Sequence, residues 1–418
     1  MEGATPGAVA PASVHQLHVP EVPAPVEELG LPGFYAVIIR SHGFISPLEG
    51  NLRSDRLALF VPSMRGGGAE RVMLELAHGF ASRGIPTDLV LPQMEGPYLS
   101  HVRPDVRLVD LRASRVLSSL PGLVGYLRRE RPIALLSTLT HVNLVALWAR
   151  RFARVETRIV IREANTLSVG KAGSARNRVL PLLARQWYRR ADEVVAVSEG
   201  VASDLIATAG LAPERVHVLY NPIVTRELQQ LAQAAVDHPW FAAGSPPVVL
   251  AAGRLSRQKD FPVLIRAFAA RQTRSARLLI LGEGPERPAL EALVGSLGAA
   301  SEIALPGFVA NPFAYMARAA VFVLSSAWEG MPGVLIQALA CGAPAVATDC
   351  ESGPREVLQN GRVGRLVPVG DVSALAQAID ATLTEPRRPL PPGVLDRFTQ
   401  ESAVTAYLRV LQRNDRVS

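Results

Sequence analysis

The sequence predicts an α/β protein built from two Rossmann-like domains that face each other across a cleft. The first observation is size: 418 residues, 48% of them hydrophobic and 19% charged, can fill two cores of ordinary domain size. The second is that short apolar runs alternate with longer amphipathic stretches, which is the pattern of β-α units on a parallel sheet. The third is a proline-containing break over residues 221–247, after which the same alternation begins again.

Strands are predicted wherever a short apolar run stands between two amphipathic stretches. The first half contains six such runs, at residues 57–62, 87–91, 107–111, 133–137, 158–161 and 193–197, and the stretch 216–219 closes this domain. The second half contains six, at residues 248–252, 277–281, 302–305, 321–324, 343–347 and 364–367. Helices are predicted between them, for example over 69–82 and 177–190. Ligands of such sheets bind beyond the carboxyl ends of the strands, so the site is expected on strand-to-helix turns.

The domain boundaries follow from the same pattern. Residues 1–55 are rich in Pro, Ala and Val without a sustained period, and we predict a mobile N-terminal extension there. The first domain is then expected over 56–222, a linker over 223–246 and the second domain over 247–393. The stretch 394–412 is predicted to form one helix, and part of the segment 394–418 is expected to pack back on the first domain.

The net charge of +7 comes from arginine clusters in the first half, at residues 128–131, 150–151 and 185–190. Where these arginines interleave with Trp148, Phe152, Trp187 and neighbouring apolar residues, they are typical of helices on an anionic membrane surface, each contributing about 1 kcal/mol. Solvated surface arginines explain the pattern equally well. Nucleic acid is disfavoured as a partner, because no helix-turn-helix, zinc-finger or RNA-stacking motif accompanies the charge.

Cysteine content and the N-terminus indicate the compartment. Cys341 and Cys350 are the two cysteines, and they lack the spacing of a zinc site or a disulfide framework. The first residues lack the basic stretch and apolar core of a secretory signal, and no segment has the roughly 18 apolar residues of a membrane-spanning helix. We expect a cytoplasmic protein, with peripheral attachment to the inner face of the membrane as an option.

Two glycine-rich turns suggest contact with an anion. Gly66-Gly67-Gly68 follows the first strand and opens a helix, so its backbone N–H groups are expected to be free for a phosphate. Arg71 replaces the third glycine of a dinucleotide fingerprint, and Arg287 does the same after Gly282-Glu283-Gly284, which disfavours NAD. A tight turn without a ligand is the alternative for either loop.

Two later turns of the second half carry charged side chains. Arg254 and Lys259 leave the end of one predicted strand and are expected to clamp a diphosphate, in place of a metal ion. No Asp-x-Asp pair occurs, and neither a metal nor another cofactor is expected. Glu329 follows another strand just before a helix, where Gly330 and Gly333 let the backbone approach a ligand. Met331, Pro332, Gly333 and Val334 are expected to bind the donor there, with the free N–H groups of this stretch, which Pro332 lacks, meeting phosphate or hydroxyl oxygens. Stabilising the helix dipole is a simpler role for Glu329.

The ordered series of these motifs resembles the retaining family-four glycosyltransferases of GT-B fold (glycosyl transferases group 1), from about residue 57 to the C-terminus. Their hallmark is a glutamate, seven residues and a second glutamate. The series also includes Ser198-Glu199-Gly200, Tyr220-Asn221-Pro222-Ile223, Gly282-Glu283-Gly284-Pro285 and Leu305-Pro306-Gly307-Phe308. The resemblance implies transfer of a sugar, with retention, from a UDP-sugar or a GDP-sugar to a saccharide or lipid-linked acceptor in cell-surface polysaccharide or glycolipid synthesis.

The resemblance also implies roles for individual residues. Glu329 would bind hydroxyls of the donor sugar, and Arg254 and Lys259 the diphosphate. His141 would contact the sugar, although it is also explained as a core or helix-capping histidine. The remaining implied contacts are Gly67 and Gly68 to the phosphates, the backbone of Phe308 and Val309 to the base, and Glu356 as support for the phosphate-side loop.

The departure from the hallmark is Gln337, which stands where the second glutamate binds the ribose hydroxyls. Glutamine still accepts a hydroxyl hydrogen bond, but a carboxylate makes one roughly twice as strong, so weaker or altered nucleotide binding is expected. A catalytically silent sugar-nucleotide-binding protein is therefore an alternative. A sugar-nucleotide epimerase and a pyridoxal-phosphate phosphorylase of similar fold are two others.

Overall fold

The structure is a computed structural model that describes residues 54–168, 175–272 and 275–412. The N-terminal extension predicted over residues 1–55 therefore lies outside the described residues except for its last two positions. No helix in the described part of the chain is long and apolar enough to cross a membrane. The described residues form two α/β halves, each with one parallel sheet, and the prediction of two Rossmann-like domains is confirmed.

The first half contains a seven-stranded parallel sheet in the order β3-β2-β1-β4-β5-β6-β7. Its strands are β1 (Ser54–Phe60), β2 (Thr87–Leu91), β3 (Val106–Asp110), β4 (Pro132–Thr138), β5 (Arg158–Glu163), β6 (Glu193–Ala196) and β7 (Val216–Val218). The helices are α1 (Gly68–Ala81), α2 (Leu120–Glu130), α3 (Thr140–Ala153), α4 (Ala175–Trp187) and α5 (Glu199–Ala209). The central strands are buried on both faces, as is typical of a parallel sheet covered by helices.

The second half repeats the plan with a six-stranded parallel sheet in the order β10-β9-β8-β11-β12-β13. Its strands are β8 (Val248–Ala252), β9 (Arg277–Leu281), β10 (Ile303–Gly307), β11 (Val321–Leu324), β12 (Ala345–Thr348) and β13 (Arg365–Val367). The helices are α6 (Arg226–Ala232), α7 (Phe261–Ala270), α8 (Arg287–Ser296), α9 (Pro312–Arg318), α10 (Gly333–Ala340), α11 (Pro354–Val357), α12 (Val372–Thr384) and α13 (Gln400–Leu411). Helix α6 belongs to the predicted linker and packs against α9.

The last helix is shorter than predicted. We expected one helix over residues 394–412, but α13 begins at Gln400, where the side chain of Thr399 caps its first turn. The carbonyl of Phe398 accepts hydrogen bonds from the N–H groups of Ile223 and Val224, so the chain before the cap is held as a short bridge to the domain link. Helix α13 then packs on α1 of the first half, with Val404 against Gly79.

Each sheet has one point at which the strand order reverses. In the first sheet this switch point lies between β1 and β4, and in the second between β8 and β11. Loops that leave neighbouring strands in opposite directions at a switch point open a crevice, which is where open parallel sheets bind ligands. The four loops that follow β1, β4, β8 and β11 are therefore the expected walls of the site.

Candidate active site

Most of the residues predicted from sequence lie on or directly after those four loops, whereas Phe308 and Val309 follow β10 and Glu356 lies on α11. Gly67 and Gly68 follow β1, and His141 is the second residue of α3, directly after β4. Arg254 and Lys259 follow β8, while Glu329 and the start of α10 follow β11. Residues that are far apart in the chain are thus brought to the two switch points by the sheet topology.

Glu329 is the most constrained of these side chains. It is 7% exposed, and its Oε1 accepts hydrogen bonds from Lys259 Nζ at 2.6 Å and from Ser326 Oγ at 2.7 Å. Its Oε2 lies 3.4 Å from Gln258 Nε2. A buried carboxylate needs a cation and hydrogen-bond donors to remain charged, and Glu329 has both.

The turn that carries Lys259 is tied to the Glu329 loop by further hydrogen bonds. Ser325 Oγ donates to the Lys259 carbonyl at 2.7 Å, and Gln258 Nε2 donates to the Trp328 carbonyl at 3.0 Å. The backbone N–H of Ala327 donates to the Gln258 carbonyl at 2.9 Å. Gln258 and Ser326 were not predicted as parts of the site, although Gln258 directly precedes Lys259 and Ser326 stands three residues before Glu329.

The start of α10 lies between the two halves. A Cβ atom at Gly330 would overlap the carbonyl oxygen of Ala164, which follows β5 in the first half, and one at Gly353 would overlap Pro332. Gly333 lies against Ile223 of the domain link. Glycine at 330 is therefore required by a close contact across the cleft, in addition to any contact with a ligand.

The outer parts of the second-half site are more open. Arg254 is exposed, and Phe308, at the end of β10, is 78% exposed, with Val309 half-buried beside it. Gln337 lies half-buried on α10, and the described residues give its side-chain amide no hydrogen-bond partner. Polar and aromatic groups at the carboxyl edge of the sheet are thus available to a ligand.

Glu356 bridges the halves through its carboxyl group. Its Oε1 accepts from the Gly200 N–H and its Oε2 from the Tyr220 hydroxyl, each at 3.3 Å. Burial raises the pKa of this carboxyl group above its ordinary value. These contacts place Glu356 at the junction of α5 and the domain link, so its described partners belong to the first half and the link.

The glycine turn after β1 differs from the prediction. We expected its N–H groups to be free, but those of Gly66 and Gly67 donate to Glu70 Oε2 at 2.8 and 2.7 Å. The hydroxyl of Ser63 donates to the other carboxylate oxygen of Glu70. Glu70 stands three residues after the N-cap, where a side chain satisfies the unpaired N–H groups of a helix start. The N–H groups of Gly66 and Gly67 are therefore occupied by a side chain of the helix that follows them.

His141 lies in the first turn of α3, and the two residues before it are hydrogen-bonded to the end of β5. Leu139, its N-cap, has a φ of 75°, a conformation unusual for leucine, and its N–H donates to the Arg162 carbonyl at 3.3 Å. Thr140 Oγ1 donates to Glu163 Oε2 at 3.2 Å. The half-buried side chain of His141 lines a cavity on the side of the first half.

Glu163 is the centre of a buried network that the sequence analysis did not find. Its carboxylate also accepts from Asn143 Nδ2 at 3.0 Å and from the Tyr188 hydroxyl. Burial raises the pKa of Glu163 to about 7. The neighbouring Arg162 is buried too, and bonds Asn221 of the domain link at 2.6 Å. The carboxyl end of β5 therefore carries buried charged side chains whose polar groups are hydrogen-bonded.

Among the described residues, no three carboxylate, histidine or cysteine side chains lie close enough together to hold a metal ion. The charged groups at the second switch point are Lys259, Arg254 and Glu329, so cationic side chains are available there.

Family models match both halves of the chain. The model described as Glycosyltransferase Family 4 matches residues 66–227, and the model described as Glycosyl transferases group 1 matches residues 246–385. The chain is 31% identical, over 79% of its length and 90% of the relative, to the N-acetylgalactosamine-N,N'-diacetylbacillosaminyl-diphospho-undecaprenol 4-alpha-N-acetylgalactosaminyltransferase of Campylobacter jejuni. It is 28% identical, over 82% of its length and 96% of the relative, to the lipopolysaccharide core biosynthesis glycosyltransferase LpsE of Rhizobium meliloti.

Solved structures share the fold. HepE of Anabaena, in complex with UDP and glucose, superposes with a TM-score of 0.70 at 22% identity, over 85% of this chain and 99% of that one. The two facing Rossmann-like halves are those of the GT-B glycosyltransferases. Within that class the chain belongs to glycosyltransferase family 4.

Proposed function

We propose that the protein transfers a sugar from a nucleotide-sugar donor, preferably a UDP-sugar, to an acceptor hydroxyl with retention of configuration and without a metal ion. The observation that carries the proposal is the buried Lys259–Glu329 pair at the switch point of the second sheet. It lies beside the α10 start, which contacts the first half at Ala164. A cation, a carboxylate and free helix N–H groups at one crevice suit a diphosphate joined to a polyhydroxylated ring.

The proposed roles follow from charge and position. Lys259 and the exposed Arg254 neutralise the charge that develops on the departing diphosphate, with the first N–H groups of α10 as further donors. Glu329 accepts hydrogen bonds from sugar hydroxyls, and Ser326 and Gln258 hold it in place. We assign contacts with the base to Phe308 and Val309, which follow β10, and contacts with the ribose to Gln337 on α10.

The reaction is balanced without a cofactor. The acceptor oxygen forms a bond to the anomeric carbon while the bond from that carbon to the diphosphate oxygen breaks. The electron pair leaves with the diphosphate, whose oxygen takes the proton of the acceptor hydroxyl. Attack on the face from which the diphosphate leaves retains the configuration. His141, at the start of α3, would contact the sugar from the first half.

The acceptor class is proposed from the relatives. One is named for transfer to a saccharide on diphospho-undecaprenol and another for lipopolysaccharide core synthesis. A saccharide or lipid-linked acceptor of a cell-surface glycan is therefore proposed here, with the protein at the cytoplasmic membrane surface. The exposed arginines of α3 and α4 would attract anionic lipids.

The test is a panel of UDP-sugars and GDP-sugars read by mass spectrometry, with and without acceptors. We expect one donor to be consumed, and Lys259→Ala to lower kcat by about two to three orders of magnitude, as when one charge-stabilising donor is lost. Arg257→Ala is the matched control, since Arg257 is exposed on the same turn and has no proposed role. Equal turnover by the wild type and both Lys259→Ala and Glu329→Ala would contradict the proposed roles.

The same panel separates the alternatives. Gln337, which replaces a charged contact, is the reason to consider a silent binding protein. Such a protein would bind UDP in calorimetry and consume no donor. An epimerase would isomerise a donor with no acceptor present. Either result would replace the proposed function.

A further inference from the structure

A cavity of about 600 Å³ opens beside His141 on the first half. Its walls are the loops after β1, β2 and β3 together with α3 and α4. Its lining includes His141, in the first turn of α3 after the switch-point strand β4, and continues along that helix to Trp148.

The lining of the cavity combines apolar and cationic side chains. Its apolar part, called the apolar wall below, is formed by Val116, Leu117, Leu144, Trp148, Leu180 and Leu183. Its cationic side chains are Arg65 and Arg115. Arg65 pairs with Glu95 at 2.8 Å, whereas the described residues place no carboxylate on the exposed Arg115. The cavity is thus amphiphilic, because its lining holds both apolar side chains and a cation that no described carboxylate compensates.

The apolar wall continues to the protein surface. His141, Val145, Trp148 and Phe152 follow each other at helical spacing on α3. The distance from His141 to Phe152 along the helix axis is about 16 Å at 1.5 Å per residue. Phe152 is exposed, and Leu117, at the rim, is 64% exposed. Such contiguous exposed apolar surface marks a binding site when it is joined to a cavity.

Basic residues surround the outer end of this wall. Trp148 contacts Trp187 edge-on with ring centroids 6.0 Å apart, and Arg190 lies 4.5 Å above the Trp187 ring. Arg151, next to Phe152, is exposed, as is Arg185 on α4. Apolar side chains flanked by exposed arginines suit the surface of an anionic bilayer.

We propose that this cavity is the acceptor site and that the acceptor is amphiphilic: a saccharide joined through a phosphate or diphosphate to a hydrocarbon chain. The inference rests on the proposed function and narrows its acceptor. The saccharide lies beside His141, the phosphate faces Arg115, and the chain covers the apolar wall and leaves past Phe152. A free saccharide would leave the apolar wall without a partner, since that wall offers few groups that could hydrogen-bond the sugar hydroxyls.

The test compares two acceptors that carry the same saccharide diphosphate, one ending in a short isoprenoid chain and the other in a methyl group. We expect the wild type to prefer the chain-bearing acceptor through a lower KM. Leu117→Gln or Leu180→Gln should lower the ratio of the two kcat/KM values about tenfold, since burying one leucine side chain contributes about 1.5 kcal/mol or more. Arg115→Ala should raise KM for both acceptors.

Leu297→Gln is the matched control, because Leu297 is an exposed leucine after α8, in the other half. Calorimetric titration of the chain-bearing acceptor without donor gives a readout that needs no turnover. Equal use of both acceptors by the wild type, or equal binding of the chain-bearing acceptor by the wild type and Leu117→Gln, would overturn the inference. Consumption of the donor in the same experiment would support the proposed function whichever acceptor is preferred. If no donor is consumed, the proposed function is contradicted, while the calorimetric titration still tests the acceptor site.

Discussion

Lys259 Nζ lies 2.6 Å from Glu329 Oε1, although the two residues are 70 positions apart in the chain. Parallel strands β8 and β11 are hydrogen-bonded neighbours, so the loops that follow them must meet. The pair is nearly buried, with side chains 16% and 7% exposed. The two side chains to which we assign the proposed chemistry therefore also form a structural contact with each other.

This pair should be coupled in stability. Lys259→Met leaves a buried carboxylate without its cation and should cost about 3–5 kcal/mol of unfolding free energy. Glu329→Gln should cost less, because Lys259 is the more exposed partner. The double variant should be more stable than the sum of the single losses predicts. Urea unfolding of the four proteins measures the coupling, and strictly additive losses would show that the pair contributes none.

Gly330 should be intolerant of even a methyl group. The Cβ of Gly330→Ala would overlap the Ala164 carbonyl, so the two halves could not approach as they do here. We expect at least a tenfold loss in kcat/KM, because misplaced groups across a cleft cost about that or more. Gly295→Ala is the control: it lies within α8 with open space around it and should raise stability by about 0.5–1 kcal/mol. Comparable activity of the two variants would contradict the role of Gly330.

Gln337 offers a gain-of-affinity prediction. Gln337→Glu places a carboxylate where the family hallmark has one, and charged acceptors make hydrogen bonds roughly twice as strong as neutral ones. We expect the Kd for UDP to fall about three- to tenfold, and Gln337→Leu to raise it. Calorimetry measures both. If Gln337→Leu binds UDP as well as the wild type does, the side chain does not contact the nucleotide.

Glu163 should make stability depend on pH. Burial raises its pKa to about 7 from an ordinary value of 4.5, so between these values the folded protein holds a proton that the unfolded chain releases. Its contribution is therefore fully present below pH 4.5 and is lost as pH rises to 7, by on the order of 3 kcal/mol. Glu163→Gln removes this titration. Urea unfolding from pH 5 to pH 8 should give a difference between the two proteins that changes over this range, and a constant difference would contradict the assignment.

The strands and the strand-end motifs could be predicted because they depend on local pattern. Apolar runs predicted twelve of the thirteen described strands, and β7 lies in the stretch that was expected to close the first domain. The positions of Arg254, Lys259 and Glu329 after such runs brought them to one switch point. The capping of the glycine turn by Glu70 was also local, since a glutamate three residues after Gly67 has the spacing of a capping box. This spacing alone predicts that Glu70 occupies the N–H groups of the turn.

The remaining features depend on contacts between distant segments. Helix α13 starts late because Phe398 bonds Ile223 and Val224 of the domain link, far away in the chain. The network around Glu163 joins it to Tyr188, which lies on a separate element. Neither partner could be inferred from spacing. The amphiphilic cavity likewise depends on distant contacts, because its apolar and cationic side chains come from five separate segments of the chain.

NMR of the anomeric centre in the product is the sharpest test of retaining transfer from a nucleotide-sugar. With an α-linked UDP-sugar, we expect an α-linked product from the wild type and far less of the same product from Lys259→Ala. A β-linked product would contradict the proposed front-face mechanism.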